Sequence, residues 1–357
     1  MAADKTVVSA CCASSPGQDT PLCSCGTDHS TLPEIRTTDS EITIANQFDH
    51  FLARWGINRM GHQVEPGLCR IGSPTADSPV LASANYTLSF DAVRSALAGF
   101  DAYILVLDTK GINVWCAAGK GTFGTDELVT RIETAGLAGI VNHRKIIIPQ
   151  LGAPGISAHD VQRRSGFKVE YGPVRARDLP EYLKTGKATP EMRRVQFPVR
   201  DRIVLAPVEL VHIALPAIII AAVLWFLAGP VAVLAAISAV VAGTVLFPIL
   251  LPFIPTGDFS IKGLLLGGVV AIPFSAAFAS TPALPSWALL IAAITPLLIM
   301  PAVIAYLALN FTGSTTFTSR TGVRKEIFRY IPVMAFMAVS GIILGIVLYG
   351  SRLTGLI

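Results

Sequence analysis

Charge is what the C-terminal part of this chain lacks. From Ala206 to the end of the 357 residues there are six Lys or Arg and three Asp or Glu, against 22 and 21 in the first 205. So long a stretch with so few charges is excluded as a second water-soluble domain and reads as membrane-spanning. Cysteine is also scarce: six in all, with Cys11, Cys12, Cys23 and Cys25 spaced as CC and CxC. Without CxxC pairs this is not a structural zinc pattern, and thiols on the cytoplasmic side do not make a disulfide framework. No basic stripe interleaved with aromatics occurs, which excludes nucleic acid as a partner. No GxGxxG joins a strand to a helix, and no GxSxG occurs. Gly119-Lys120-Gly121 is followed by Thr but Lys120 itself is not, and Gly111 is too distant for a phosphate loop of the GxxxxGK(S/T) type. The N-terminus has no signal-peptide pattern.

The apolar half divides into five expected spans near 207–228, 231–254, 259–280, 284–310 and 331–350, since about 20 apolar residues cross a bilayer. Pro230, Pro255-Thr256-Gly257, and Thr281-Pro282 with Pro285 mark tight turns. A polar loop over 311–330 carries Arg320, Arg324, Lys325 and Arg329, and Arg193, Arg194, Arg200 and Arg202 precede the first span. The positive-inside rule then places the soluble head in the cytoplasm at the inner membrane, in contact with membrane lipid. Glu209, His212 and Lys262 are the ionisable residues within the spans and lie near span ends, where snorkelling accounts for them. Anchoring or partner docking explains such spans; a conducting role is the alternative.

Residues 1–41, rich in Ser, Thr, Pro, Gly and Asp, read as a disordered tail holding four of the cysteines. The head covers 42–187, a linker 188–206, and the membrane domain 207–357. Within the head, 79–86, 102–107, 146–149 and 167–171 read as buried strands. Helical spacing appears at Phe90, Val93, Leu97 and Phe100, and again at Leu128, Val129, Ile132 and Leu137. A helix near 156–165 and a sheet edge at 179–183 complete the pattern. The stretches 55–59 and 66–72 read as loop landmarks. Strands alternating with helices predict a mainly parallel, Rossmann-like α/β sheet, followed by an all-α domain of five transmembrane helices.

The strand 102–107 empties into Asp108-Thr109-Lys110-Gly111 and then into residues 113–120, Asn-Val-Trp-Cys-Ala-Ala-Gly-Lys. A strand end of this kind is where open α/β sheets place ligands. Cys116 there reads as a soft metal ligand, a nucleophile paired with His143, or a buried structural thiol. As a ligand it stands alone, which suits a metal already held by a macrocycle, haem or cobalt corrin. The small Ala117, Ala118 and Gly119 would let a flat ring approach the helix backbone.

Residues 113–120 resemble the cap-helix motif N(V/I)WCAAGK of the HgcA family, the corrinoid proteins of the microbial mercury-methylating pair. The head is also similar to the corrinoid iron–sulfur proteins of the acetyl-CoA pathway, over 55–59, 66–72, 79–90, 142–149 and 167–183. The latter family has no cap-helix cysteine and no five-span region. The tail cysteines, and Cys69 where an aromatic is expected, depart from the HgcA pattern. The resemblance, taking in about 45–357 with the loop 310–316, implies a corrinoid-dependent methyltransferase passing a methyl group from methyl-cobalt(III) to mercury(II). It implies a cobalamin held cysteine-on, with Cys116 thiolate as the lower axial cobalt ligand. It implies that Val114 and Trp115 pack around the ring, that Asn113 and Lys120 fix the helix ends, and that Thr109, Asn142 and His143 approach the corrin edge. The implied partners are an HgcB-like ferredoxin with two 4Fe–4S clusters and a methyl-folate or protein methyl donor. A membrane-anchored corrinoid methyl carrier of one-carbon metabolism is the alternative.

Overall fold

Two apolar runs form the centre of the head. Residues of β3 (Val80–Ala84) and β4 (Ala102–Leu107) are buried at every position, as strands covered on both faces must be. They belong to a six-stranded sheet in a computed structural model that describes residues 35–58, 60–281, 284–315 and 320–356. The tail cysteines Cys11, Cys12, Cys23 and Cys25, with Arg59, Pro282 and Thr316, lie outside the described residues. The strand order is β1 (Arg36–Thr38), β2 (Gly67–Ile71), β4, β3, β5 (Lys145–Ile148), β6 (Lys168–Tyr171).

Neighbouring strands are parallel except β2 with β4, which are antiparallel. The sheet is thus mainly parallel, as expected, and mixed through one antiparallel pairing: β4, β3, β5 and β6 form the parallel, doubly wound part, and β1 and β2 run against it. β1 falls within the stretch expected to be tail, and β2 within a stretch expected to be a loop. Both escape sequence patterning because they are short and lack an apolar run. β1 reads Arg-Thr-Thr at the sheet edge, and β2 starts at Gly67 and exposes Arg70 in its middle.

Helices cover both faces. On β4, Ile104 and Val106 pack with α2 (Thr87–Ala96) and α7 (Leu179–Thr185), whereas Leu105 and Leu107 pack with α3 (Val114–Lys120), α4 (Thr125–Thr134) and α6 (Ala158–Ser165). This is the period-two alternation of a strand between two cores. The stretch 179–183 is α7 and not a sheet edge; Pro180 in its first turn has the φ that starts a helix. The head also holds α1 (Ile44–Arg54), started by a Thr43–Asn46 capping box, and α5 (Leu137–Ile140). The short helices α8 (Pro190–Arg193) and α9 (Val199–Ile203) lead to the apolar half.

That half consists of α10 (Ala206–Ala228), α11 (Pro230–Val241), a π-helical turn at Ala242–Leu246, α12 (Phe247–Leu250), α13 (Phe259–Ala279), α14 (Ser286–Asn310) and α15 (Arg320–Leu353). Among the described residues five helical stretches are long and apolar enough to cross a membrane: Val199–Ala228, Pro230–Leu250, Phe259–Ala279, Ser286–Asn310 and Thr321–Leu353. The polar loop expected over 311–330 is corrected, since helix resumes at Arg320. The four basic residues there occupy the first turns of α15 because good helix formers tolerate an amphiphilic extension beyond the apolar span. The roster of ionisable residues also grows. Glu326 is buried and accepts from Ser260 N and Oγ, each at 2.9 Å, and Tyr330 Oη donates to Asp258 Oδ2 at 2.7 Å. Lys262 does not snorkel: its Nζ donates to the carbonyls of Leu251 and Ile254 at 2.8 and 2.6 Å, satisfying the end of the preceding helical segment.

Candidate functional site

The carboxyl ends of β3, β5 and β6 open onto a cleft of about 380 Å³. The chain leaves β3 through α2 to reach β4 on one side, then returns to β5 on the other, so the cleft lies at the topological switch point of the sheet. Its walls are mostly apolar. Leu88 and Ala92 of α2 stand on one side, Pro149 and Gly172 follow β5 and β6, and Asn113, Val114 and Trp115 of the α3 turn close it. Gly172 is required there: a Cβ would lie 2.9 Å from Ile147 Cγ2.

The turn between β4 and α3 is built by one buried side chain. Asn85, directly after β3, has its Oδ1 3.0 Å from Thr109 N, 2.8 Å from Thr109 Oγ1 and 3.0 Å from Gly111 N. Glu127 of α4 holds the same turn from the other side, its Oε1 accepting from Asp108 N at 2.8 Å. The Lys110 ammonium, 2.9 Å from Asp108 Oδ2, holds the Asp108 carboxyl below its usual range. Thr109, expected near a corrin edge, is wholly buried in this network and orders the turn.

From this turn α3 starts with Asn113 as N-cap, its side chain accepting from Cys116 N at 2.9 Å, and ends at Gly121 with φ 89°. The helix has two sides. Val114, Ala117 and Ala118 are buried in the core, whereas Trp115 and Cys116 are half-buried and Gly119 and Lys120 exposed. Ala117 and Ala118 are therefore small for a reason other than the one expected. They face the protein, where the 3₁₀ turn Gln150–Gly155 comes close: a Cβ on Gly155 would stand 3.0 Å from Ala118 Cα and 2.2 Å from the Phe123 carbonyl oxygen. Gly119 is the small residue on the open side; a Cβ there meets nothing within 4 Å. Cys116 forms no disulfide, and its side chain is not part of the cleft wall, which ends at Trp115.

Asn142 and His143 are not brought to this place. Asn142 Nδ2 donates to Asp77 Oδ1 at 3.1 Å, and His143 Nε2 is 2.8 Å from the Ser78 carbonyl oxygen. Both precede β5 and bond to residues preceding β3, at the amino ends of the parallel strands, opposite the end from which α3 springs. A strand-end histidine adjoining an apolar run looks the same in sequence at either end of the sheet. The separation also removes the pairing of Cys116 with His143 as a nucleophile and its base. What sequence reading misses is Asn85, Glu127 and Gly155, which touch no ligand motif; the polar exit of the β3 run was the signal for the first.

The chemistry open to this arrangement is limited. Among the described residues no cluster of three His, Cys, Asp or Glu could hold a bare metal ion. One thiol on an uncluttered helix side can supply one coordination position to a metal whose others are already filled.

Residues 57–183 match the family described as CO dehydrogenase/acetyl-CoA synthase delta subunit, CdhD. Among curated proteins, the acetyl-CoA decarbonylase/synthase complex subunit gamma of Methanopyrus kandleri is 36% identical over 128 residues, 35% of this chain and 27% of that one. The gamma subunit of Methanosarcina acetivorans is 30% identical over 160 residues, 44% of this chain and 31% of the relative. This chain thus spans less than a third of the length of these relatives, and the family match contains the cleft and α3 but none of the five apolar helices.

Proposed function

We propose that this chain is a membrane-anchored corrinoid methyl-transfer protein, with the corrinoid at the carboxyl edge of the sheet and Cys116 as its axial ligand. The observation that carries this is the placement of a thiol on the open side of α3, beside a cleft at the switch point, within the residues 57–183 that match the CO dehydrogenase/acetyl-CoA synthase delta subunit family. The residues present fit such a group: one soft donor, an apolar cleft for part of a large ligand, and bare helix surface at Gly119. A bound corrinoid would supply a metal-held methyl group and an axial position that a thiolate can fill. Asn113 fixes the first turn of α3 by accepting from the Cys116 N–H, which sets the backbone that carries the half-buried thiol. Trp115 and Leu88 supply apolar wall that excludes water. Asn85 and Glu127 position the turn that carries the helix.

Two methyl acceptors fit. Similarity to the acetyl-CoA decarbonylase/synthase subunits supports a carrier in one-carbon metabolism. The complete motif of residues 113–120 supports mercury(II): Cys116 would hold the bound corrinoid through its thiolate, and the corrinoid would supply a methyl group that a soft electrophile could accept. We take mercury(II) as an acceptor of this protein, with a ferredoxin of low potential as reductant and a methyl-folate or protein donor, and with the head on the cytoplasmic side. The test is the full chain purified in detergent with its corrinoid, examined by visible and electron-paramagnetic spectra and by assay for methylmercury. Wild type should show a thiolate-ligated cobalt spectrum and form methylmercury. Cys116→Ala should lose both while its circular dichroism stays unchanged, since alanine within a helix costs little. Full methylmercury formation by the alanine variant would overturn the ligand assignment. Methyl transfer to a one-carbon acceptor, with none to mercury(II), would leave the carrier reading alone.

A further inference from the structure

α1 has two faces that no function described so far uses. Asn46, Asp49, His50 and Ala53 lie on one side of the helix, and Ile44, Phe48, Phe51 and Trp55 on the opposite side, by the 3.6-residue repeat. The first side is bolted to the head. His50 Nε2 is 2.7 Å from Asp91 Oδ2, Asp49 Oδ1 is 2.6 Å from His62 Nδ1, and the Arg94 guanidinium donates to Asn46 Oδ1 at 3.1 Å. The helix therefore cannot roll to bury its other side against the protein.

That other side is open. Ile44 is 85% exposed, Phe48 61% and Phe51 51%. Phe48 and Phe51 stack with centroids 6.5 Å apart, Phe51 and Trp55 meet tilted at 5.7 Å, and Ile57 and Met60 just beyond in the chain are exposed as well. A contiguous aromatic stripe of this kind on a surface helix marks an interaction site.

The end of the stripe says what covers it. Gly56, next to Trp55, approaches Val208 in the first turn of α10 so closely that a Cβ on it would lie 3.1 Å from Val208 Cγ2. Val208 stands in the first turn of α10, within the first membrane-crossing stretch Val199–Ala228 and beside Glu209 and His212, the last ionisable side chains before its uncharged part, where such a helix passes from headgroups to hydrocarbon. The preceding helix α9 exposes Val199 and Ile203 as well. The patch is thus continuous with the place where the chain enters the bilayer, and tryptophan is the residue that favours that level.

We propose that α1 is an interfacial membrane helix: its Ile44, Phe48, Phe51 and Trp55 stripe lies among lipid headgroups and upper acyl chains and seats the head against the bilayer. This rests on the five apolar helices crossing a membrane and is independent of the corrinoid. The functional consequence is orientation: the head is held at a set attitude above the membrane, so a diffusing partner meets it from the side away from α1.

The test uses the full chain reconstituted into phosphatidylcholine vesicles with bromine on the acyl chains near the headgroup. The emission of Trp55 is isolated by subtracting a Trp55→Phe variant, and that of Trp225 on α10 by Trp225→Phe, so that quenching of Trp225 confirms insertion. Trp55 should lose emission in brominated vesicles and resist acrylamide. Emission unaffected by bromine would overturn the proposal, either with quenching by acrylamide, which means the stripe faces water, or with shielding from both, which means protein covers it. In a second variant, Phe48→Ser with Phe51→Ser, Trp55 should lose part of its bromine quenching with unchanged circular dichroism; quenching equal to wild type would also overturn it.

Discussion

At Cys116 the local geometry is set by neighbours that sequence treats as equivalent. Ala118 and Gly119 are both small, but one faces the core and the other open space. They should behave oppositely. Ala118→Leu overpacks the contact with Gly155 and should destabilise the head by about 1–3 kcal/mol. Gly119→Ala should raise the melting temperature of the corrinoid-free protein, by up to about 1 kcal/mol of helix propensity, and lower corrinoid occupancy if the ring lies on that surface. Melting curves and bound-cobalt content, measured on the same samples, read both effects. Asp108 makes a pH prediction. Its carboxyl titrates below the usual range because Lys110 bonds to it, so its contribution to stability is complete above the ordinary aspartate pKa of about 3.9. That contribution is lost as pH falls through the lowered folded value. Asp108→Asn should be slightly less stable than wild type at neutral pH, and thermal melts of the two should converge in acid. The effect is small because Lys110 is exposed.

Among the elements, α13 and α14 depend on close backbone approach. Gly263 and Gly267, four residues apart, face α14 so closely that a Cβ would lie 2.5 Å from Ala305 Cα and 2.4 Å from Pro301 Cα respectively. Small residues at this spacing let helices pack in lipid, where no hydrophobic effect drives them together. Gly267→Leu should separate the two helices and lower the melting temperature in detergent, whereas Gly268→Leu, where a Cβ meets nothing within 4 Å, should not. The head has the same kind of requirement at Gly155 under α3. The buried bond of Glu326 to Ser260 ties the start of α15 to the start of α13, so the charged end of the last helix is part of the membrane domain's own packing.

For the whole molecule the question is sidedness. The basic residues before α10 and at the start of α15 are the ground on which we propose, by the positive-inside rule, that the head lies in the cytoplasm. In corrinoid-free protein, a membrane-impermeant maleimide should label Cys116 in inside-out vesicles and not in sealed right-side-out cells, in a background where Cys11, Cys12, Cys23 and Cys25 are Ser. Cys69 should stay unlabelled in both because burial raises its thiol pKa and removes access. Labelling of Cys116 in intact cells would reverse the orientation.

Sequence alone determined the features that arise from local pattern. The strands expected at 79–86, 102–107 and 146–149 are apolar runs that form β3, β4 and β5, whereas β6 (Lys168–Tyr171), expected as buried at 167–171, buries only Val169; five helices long and apolar enough to cross a bilayer announce themselves by length and want of charge. A helix after β4 was legible for the same reason, whereas the role of Asn113 at its start came only from the family resemblance. Tertiary structure alone decided the rest, because it depends on which distant segments meet. β1 and β2 acquire their strand form from hydrogen-bonded neighbours, not from a pattern of their own. Which side of α3 is open follows from the Gln150–Gly155 turn lying beneath it, more than thirty residues later in the chain. Asn142 and His143 belong to the far end of the sheet because a parallel strand has its two ends on opposite edges, a fact that residue type cannot carry.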